Sequence, residues 1–189
     1  MIEPFRAYVD ESLRLSVRRY LMAAVFVPGD RAESHRAVLR GLLRRRQRRL
    51  HWRDEDDQRR VALVAAIAEL RPRGIVVIGE GMDPRHQERA RRKCMECLLW
   101  QLGERAVPEA IFESRNWQLD GRDRRMIDAL GGKHAMPPGL RVKWQSPEIE
   151  PLLWLADVVA GAASSAEAGQ EAHWKELGAG LAVHRLDLG

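Results

Sequence analysis

Acidic residues follow two apolar segments of the chain in a way that would suit metal-ion chemistry. The segment FRAYV (residues 5–9) alternates with a period of two residues, the pattern of a β-strand, and Asp10 and Glu11 come directly after it. A second apolar segment, AIFE (110–113), ends in Glu113. If the two strands are neighbours, these carboxylates meet at one edge of a sheet, where Mg²⁺ or Mn²⁺ would find the oxygen ligands that hard ions prefer. Turn formation is the alternative role for the acids after the first strand.

A further candidate acid, Asp157, lies inside the long apolar segment PEIEPLLWLADVVAGAASS (147–165). A helix that is apolar on all sides is typical of a buried position. Burial of an ionised carboxylate is costly unless a counter-charge compensates it. Gly161, one turn later, is expected to leave open space beside Asp157, and Glu150 precedes it by two turns. The pattern predicts that the helix presents Asp157 to a metal ion, and an ion pair with a buried arginine is the alternative.

Two short motifs, AYVDES (7–12) and LLWLADVVAGA (152–162), resemble the signatures of domain-of-unknown-function family 3800. This bacterial family is placed in the ribonuclease H-like superfamily. Its first strand carries Asp-Glu-Ser, often followed by Gly, and its C-terminal helix carries Gln-x-x-Asp. The resemblance implies an acid cluster that binds divalent metal and cleaves nucleic acid.

Transferred by position, Asp10 and Glu11 match the acids of the first motif, and Asp157 matches the helical aspartate. The chain departs from both motifs. Leu13 stands in place of the glycine after the first, which would alter a turn, and Trp154 stands in place of the glutamine of the second, which would remove a polar group near the site.

Three residues are candidates for the middle acid of the cluster, the one that lies between Asp10 and Asp157 in the sequence. Glu113 is preferred because the next two residues, Ser114 and Arg115, add polar groups that would orient a phosphate. Glu80 also ends an apolar strand, and Asp120 follows closely, so both remain alternatives.

The acids lead to one main functional hypothesis, a divalent-metal-dependent nuclease. Asp10, Glu113 and Asp157 would be the ligands of Mg²⁺ or Mn²⁺, with Glu11 as a fourth catalytic acid. Two alternatives stay open. One is a catalytically inactive module with the same fold that binds nucleic acid or a protein, and the other is a metal-dependent phosphoesterase that acts on a small nucleotide.

Positive charge is concentrated in one part of the chain, which favours a nucleic-acid partner. Residues 31–60 contain eleven arginines and five acids, a net charge of +6, whereas the whole chain carries +5. A basic helical segment is predicted at about 31–49. Its helix is expected to begin with a capping box of Asp30 and Glu33 and to end near Arg45. Four arginines at four-residue spacing would form one side of it and hold a phosphate backbone: Arg36, Arg40, Arg44 and Arg48. A solvated helix surface is the alternative.

The order of the predicted elements favours an α/β fold, a ribonuclease H-like mixed sheet with helices on both faces, in a single domain over residues 1–189. Strands are predicted at 5–9, 20–28, 50–53, 74–80, 110–114 and 140–145, with a further strand in the tail GLAVHRLDLG. Helices are predicted between them, the last one from Ser146-Pro147 onward. The loop around His134 offers a possible proton shuttle.

Composition excludes several classes of protein. Hydrophobic residues make up 45% and charged residues 31%, as is usual for a globular protein, and no apolar run approaches the roughly 20 residues that span a bilayer. The N-terminal residues lack the pattern of a secretory signal. Two cysteines are too few for a disulfide framework. A cytoplasmic protein without a membrane partner is expected.

Overall fold

A six-stranded mixed sheet lies at the centre of the computed structural model, which describes residues 5–132 and 136–189. Its spatial order is β5-β4-β1-β2-β3-β6. Strands β1, β2 and β3 are antiparallel neighbours, whereas β4 runs parallel to β1, β5 to β4, and β6 to β3. His134 lies outside the described residues. The strands are β1 (Arg6–Arg14), β2 (Arg19–Val27), β3 (Arg73–Glu80), β4 (Glu109–Glu113), β5 (Arg141–Gln145) and β6 (Leu181–Asp187).

The first strand does not end at its acids. Strand β1 continues to Arg14 because it pairs with β2 along its whole length, and Asp10 lies opposite Ala23 in the middle of that hairpin. The prediction of a strand ending before Asp10 was therefore wrong. Leu13, which replaces the glycine of the family motif, pairs with Tyr20 and continues the strand instead of starting a turn.

Helices cover both faces of the sheet. Each face of the sheet carries a hydrophobic core, because successive side chains of a strand point to opposite faces. Tyr8 and Val76 belong to one core, and Val9 and Val77 to the other. The first face is covered by α1 (Ala32–Gly41), α2 (Asp57–Ala68), α5 (Leu153–Ala166) and α6 (Ala172–Leu177), and the second by α3 (Gln87–Glu104) and α4 (Trp117–Gly132). Helix α5 is buried on all sides from Leu153 to Ser165, as its apolar sequence predicts. None of the helices in the described residues combines the length and the apolar character that crossing a membrane requires.

Several predicted boundaries were wrong in the arginine-rich region and before α5. The basic helix ends at Gly41, and the segment from Leu42 to His51 is a series of turns in which Arg46 adopts a left-handed φ of 69°. The predicted strand at 50–53 is instead a turn of 3-10 helix at Trp52–Asp54. The predicted capping box does not form, since no side chain caps the start of α1. Helix α5 begins at Leu153, after turns that follow Ser146.

Candidate active site

The parallel pair of strands β1 and β4 brings two of the predicted acids to the same face of the sheet. Val9 is paired with Phe112, so the next residue of each strand, Asp10 and Glu113, lies on the face that α5 covers. Asp157, on α5, lies close enough to Asp10 for its negative charge to raise the pKa of Asp10. The structure thus places Asp10, Asp157 and Glu113 in one neighbourhood, as the sequence predicts.

Burial and mutual repulsion dominate the electrostatics of these three acids. Asp157 is only 8% exposed. Burial raises the pKa of Asp10 well above its usual range, and the negative charges of Asp157 and Glu113 raise this pKa further. Burial also raises the pKa of Asp157, although the side chain of His51 opposes this shift. The pKa of Glu113 is raised by burial too, and the guanidinium of Arg49 acts against the rise.

The groups that hold two of these acids come from the turns after α1. The backbone N–H of Trp52 donates a hydrogen bond of 2.6 Å to Asp157 Oδ2. Arg49 Nη1 donates to Glu113 Oε1 at 3.2 Å. Arg49 could not be predicted from the sequence, because a segment of turns carries no periodic pattern that would assign its side chains to a face.

The space beside Asp157 is filled by Trp52. A Cβ atom at Gly161 would lie 2.2 Å from the ring of Trp52, far inside van der Waals contact. The expectation of open space at Gly161 was therefore wrong, and the glycine instead allows the tryptophan to pack closely against α5. Through the Trp52 amide, this packing also fixes the carboxylate of Asp157.

Gly161→Ala is expected to destabilise the fold by about 1–3 kcal/mol, because the added methyl group overpacks against Trp52. Gly121→Ala is the matched control, since a Cβ at this position on α4 meets nothing within 4 Å. The control is expected to be neutral or stabilising, as alanine favours a helix over glycine. Chemical denaturation measures both variants, and equal stabilities for the two would contradict the role given to Gly161.

Glu11 lies on the opposite face of the sheet from Asp10, because successive side chains of a strand alternate. Its Oε2 atom is 2.7 Å from Arg91 Nε, and Arg91 Nη1 is 2.6 Å from Asp123 Oδ1. Arg115 joins this group through Asp123, at 3.3 Å. The structure therefore places the predicted fourth catalytic acid in an ion-pair network on the α3 side, and Glu11 lines the same cleft as Asp10 and Glu113.

The ion-pair network on the α3 side could have been predicted from the position of Arg91 in the sequence. Arg91 precedes Cys94, Met95 and Leu98 at spacings of three, four and seven residues, and all four are buried. An arginine in the apolar stripe of a helix predicts a buried cation, and a buried cation needs acidic partners.

The alternatives for the middle acid have other partners. Glu80 Oε1 is 2.5 Å from Arg185 Nη1 on β6. Asp120 accepts hydrogen bonds from the Ser114 hydroxyl at 2.5 Å and from the Arg115 N–H at 3.0 Å. Both acids thus connect neighbouring elements. The hydroxyl of Ser114, which was expected to orient a phosphate, is hydrogen-bonded to Asp120 instead. Of the three candidates, Glu113 is the acid on the strand that pairs with β1, and its negative charge raises the pKa of Asp10.

Neither Trp154 nor Glu150 contributes to the site. The indole N–H of Trp154 donates to the carbonyl oxygen of Pro147 at 2.8 Å, so this side chain secures the approach to α5. Glu150 forms an ion pair of 2.7 Å with Arg36. The departure from the family motif at Trp154 is accommodated by packing at the start of the helix.

The four arginines predicted to hold a phosphate backbone do not form one side of a helix. Arg44 and Arg48 lie beyond the end of α1. The side chain of Arg36 is 18% exposed and that of Glu150 8%, so this pair belongs to the packing of the fold. The other pairs are more exposed: Arg40 with Glu33, Arg44 with Glu55 and Asp56, and Arg48 with Glu148. Contact of these four residues with nucleic acid stays a prediction.

A cleft of about 330 Å³ opens onto Asp10 and Glu113. Basic side chains also line it, from His51 and Arg53 on one side to Arg115 on the other. Within residues 5–132 and 136–189, no group of three or more His, Cys, Asp or Glu side chains is arranged so that it could hold a metal ion. The acids nevertheless fit a hard cation in type, since all three supply carboxylate oxygens.

Comparisons with known proteins identify the fold. No family model matches the chain, and neither does any curated protein sequence. A solved structure that is similar is "Structure of the PCNA:RNase HII complex from Archaeoglobus fulgidus", with a TM-score of 0.54 and 18% sequence identity. The match covers 88% of this chain and 75% of the other. The similarity confirms the predicted fold class: the chain has a ribonuclease H-like α/β fold.

Proposed function

We propose that this protein is a divalent-metal-dependent nuclease that hydrolyses phosphodiester bonds at the cleft of Asp10 and Glu113. The proposal rests on one observation: Asp10 on β1 and the buried Asp157 on α5 lie so close together that burial and the charge of Asp157 raise the pKa of Asp10. Such a like-charged pair is unfavourable without a cation. The structural similarity to RNase HII supports the same function.

Asp10, Asp157 and Glu113 would hold Mg²⁺ or Mn²⁺. Metal ions in such a site activate a water molecule and stabilise the leaving oxygen of an in-line displacement. Arg49, bound to Glu113 Oε1 at 3.2 Å, would compete with a metal ion for this carboxylate.

The other residues of the site position the acids and the substrate. The amide of Trp52 fixes the orientation of Asp157. Arg53 and Arg115 line the cleft, where guanidinium groups would bind the phosphates of a nucleic acid. His51 also lines the cleft and is placed to hold or release a proton beside the acids.

Hydrolysis assays test the proposed activity. Purified protein is incubated with single-stranded DNA, duplex DNA, RNA and an RNA–DNA hybrid, in Mg²⁺, in Mn²⁺ and in EDTA. Cleavage that requires metal and is lost in Asp157→Asn supports the proposal. If the protein cleaves none of the four and binds neither metal, the proposal is wrong.

Arg49→Ala is expected to tighten Mn²⁺ binding about threefold to tenfold, because the arginine competes with the metal ion for Glu113. The size of the effect follows from the partly exposed ion pair, which contributes about 1 kcal/mol. Arg45→Ala is the control, as Arg45 is an exposed residue of the same segment and is expected to leave the affinity unchanged. Isothermal titration calorimetry measures both. Weaker Mn²⁺ binding by Arg49→Ala would contradict competition.

The ion pair between Arg49 and Glu113 also favours a second candidate, a ribonuclease H-like module that binds nucleic acid or a protein without cleaving it. In such a module the arginine would neutralise Glu113 permanently. Nucleic-acid binding that is equal in EDTA and in Mn²⁺, and unchanged in Asp157→Asn, would favour the module over the nuclease.

A further inference from the structure

A second cavity, of about 450 Å³, lies at the end of the sheet where β2 ends and β3 and β6 begin. Its walls are largely apolar and include Phe5, Phe26, Pro28, Leu70 and Leu155. Two of them form an aromatic pair, with the ring centroids of Phe5 and Phe26 5.3 Å apart. Asp10, Glu113 and Asp157 are not among its lining residues.

Positive charge surrounds these apolar walls. Arg31, Arg71, Arg73 and Arg105 line the cavity, and none of the described residues that line it is acidic. Within the described part of the chain, none of the four has a carboxylate oxygen within 4.0 Å, although arginines elsewhere are widely paired. Arg105 does donate to the backbone and side-chain oxygens of Gln101. Four guanidinium groups around one apolar space repel one another and attract an anion.

An unsatisfied hydrogen-bonding group adds to the unusual chemistry of the cavity. His35 lines it, and the Nδ1 atom of His35 is buried without a hydrogen-bond partner in the described residues. Burial and the nearby charge of Arg31 lower the pKa of His35, which favours a neutral ring. A neutral imidazole can donate a hydrogen bond to a bound molecule or accept one from it, and it adds no charge to the cavity.

We propose that this cavity binds a small organic anion whose phosphate or carboxylate group contacts the arginines and whose apolar body packs against Phe5, Phe26 and Leu155. Guanidinium groups bind both acid groups through paired hydrogen bonds, and apolar walls favour an aryl or alkyl body over water. A volume of about 450 Å³ accommodates a molecule the size of a nucleoside monophosphate or a medium-chain fatty acid. This binding is independent of the metal-dependent function proposed for the acids.

Anilinonaphthalene sulfonate, an aromatic anion that fluoresces in apolar surroundings, is the probe for the test. One saturable site is expected. Ala182→Phe, which places a ring in the cavity from the edge strand β6, is expected to abolish binding. Arg31→Glu and Arg105→Glu are each expected to weaken it about tenfold, as the loss of a charge-assisted hydrogen bond would. Arg45→Glu is the matched control, an exposed arginine outside the lining, and should bind the probe normally.

Two further measurements complete the test. The neutral analogue N-phenylnaphthylamine is expected to bind at least tenfold more weakly, and equal binding would overturn the preference for an anion. Displacement of the probe by AMP identifies an aryl phosphate as the ligand class, and displacement by decanoate identifies an alkyl carboxylate. Displacement by neither at millimolar concentration, or unchanged probe binding in a folded Ala182→Phe variant, would overturn the proposal.

Discussion

Asp10→Asn is expected to abolish the binding of Mn²⁺ and, at the same time, to stabilise the metal-free protein by about 0.5–2 kcal/mol. Both effects have one cause. Asp10 is held beside Asp157 where burial and like charge oppose ionisation, so removing its charge relieves an unfavourable contact in the folded state. The same charge is what a divalent cation would bind. Asparagine keeps the shape and an acceptor oxygen, so the packing of the carboxyl group is retained.

The stabilisation by Asp10→Asn should depend on pH in a defined direction. The pKa of Asp10 is higher in the folded state than its ordinary value of 3.8, so the folded protein binds this proton more tightly than the unfolded chain does. The unfavourable contribution is fully present above the raised pKa and disappears as the pH falls towards 3.8. The difference in stability between variant and wild type should therefore shrink on acidification.

Calorimetric titration with Mn²⁺ and urea denaturation in EDTA measure the two effects of Asp10→Asn. Asp128→Asn, an exposed aspartate on α4, serves as the control and is expected to change neither quantity. Undiminished Mn²⁺ affinity in Asp10→Asn would remove this acid from the proposed site. A variant less stable than wild type at neutral pH would mean that the contact with Asp157 is favourable as it stands.

Arg91→Met is expected to destabilise the protein by about 3–5 kcal/mol, a large part of the stability of a domain of this size. Arg91 is 3% exposed and lies between the carboxylates of Glu11, at 2.7 Å, and Asp123, at 2.6 Å. Removal of the cation leaves Glu11 without its partner and leaves Asp123 with Arg115 alone. Methionine fills much of the same volume, so the loss reports mainly on charge.

The neighbouring residue supplies the control for Arg91→Met. Arg92 is exposed on the same helix, and Arg92→Met is expected to change the free energy of unfolding by less than about 0.5 kcal/mol. Combining Arg91→Met with Glu11→Gln should recover part of the lost stability, because one uncompensated charge is removed. A loss below about 1 kcal/mol in urea denaturation of Arg91→Met would show that the network does not stabilise the fold.

The sequence predicts the sheet and its buried helix better than it predicts the site around them. Period-two alternation and an apolar segment without polar faces are local signals, and they identify β1, β4 and α5 but not the end of β1 or the start of α5. The length of β1 depends on its pairing with β2, which continues through polar residues and moves Asp10 from the end of the strand to its middle. The alternation that predicts the strand also assigns Glu11 to the opposite face.

The residues nearest to the acids could not be placed from sequence for a different reason. Arg49 and His51 reach the site on turns after Gly41, where side-chain direction follows from individual backbone angles such as the φ of Arg46. The four-residue spacing of the arginines predicts a longer helix. That spacing continues past Gly41, whereas the helical backbone does not.

The bond between Arg49 and Glu113 links two binding events within the proposed function. A cation bound to Glu113 would weaken the hold of this carboxylate on Arg49, and a phosphate bound to Arg49 would weaken the hold of the guanidinium on Glu113. Each event therefore removes an obstacle to the other. By thermodynamic reciprocity, the factor by which nucleic acid tightens metal binding equals the factor by which metal tightens nucleic-acid binding. A single ion pair would thereby make the two ligands bind cooperatively, on a segment that Trp52 anchors against Gly161.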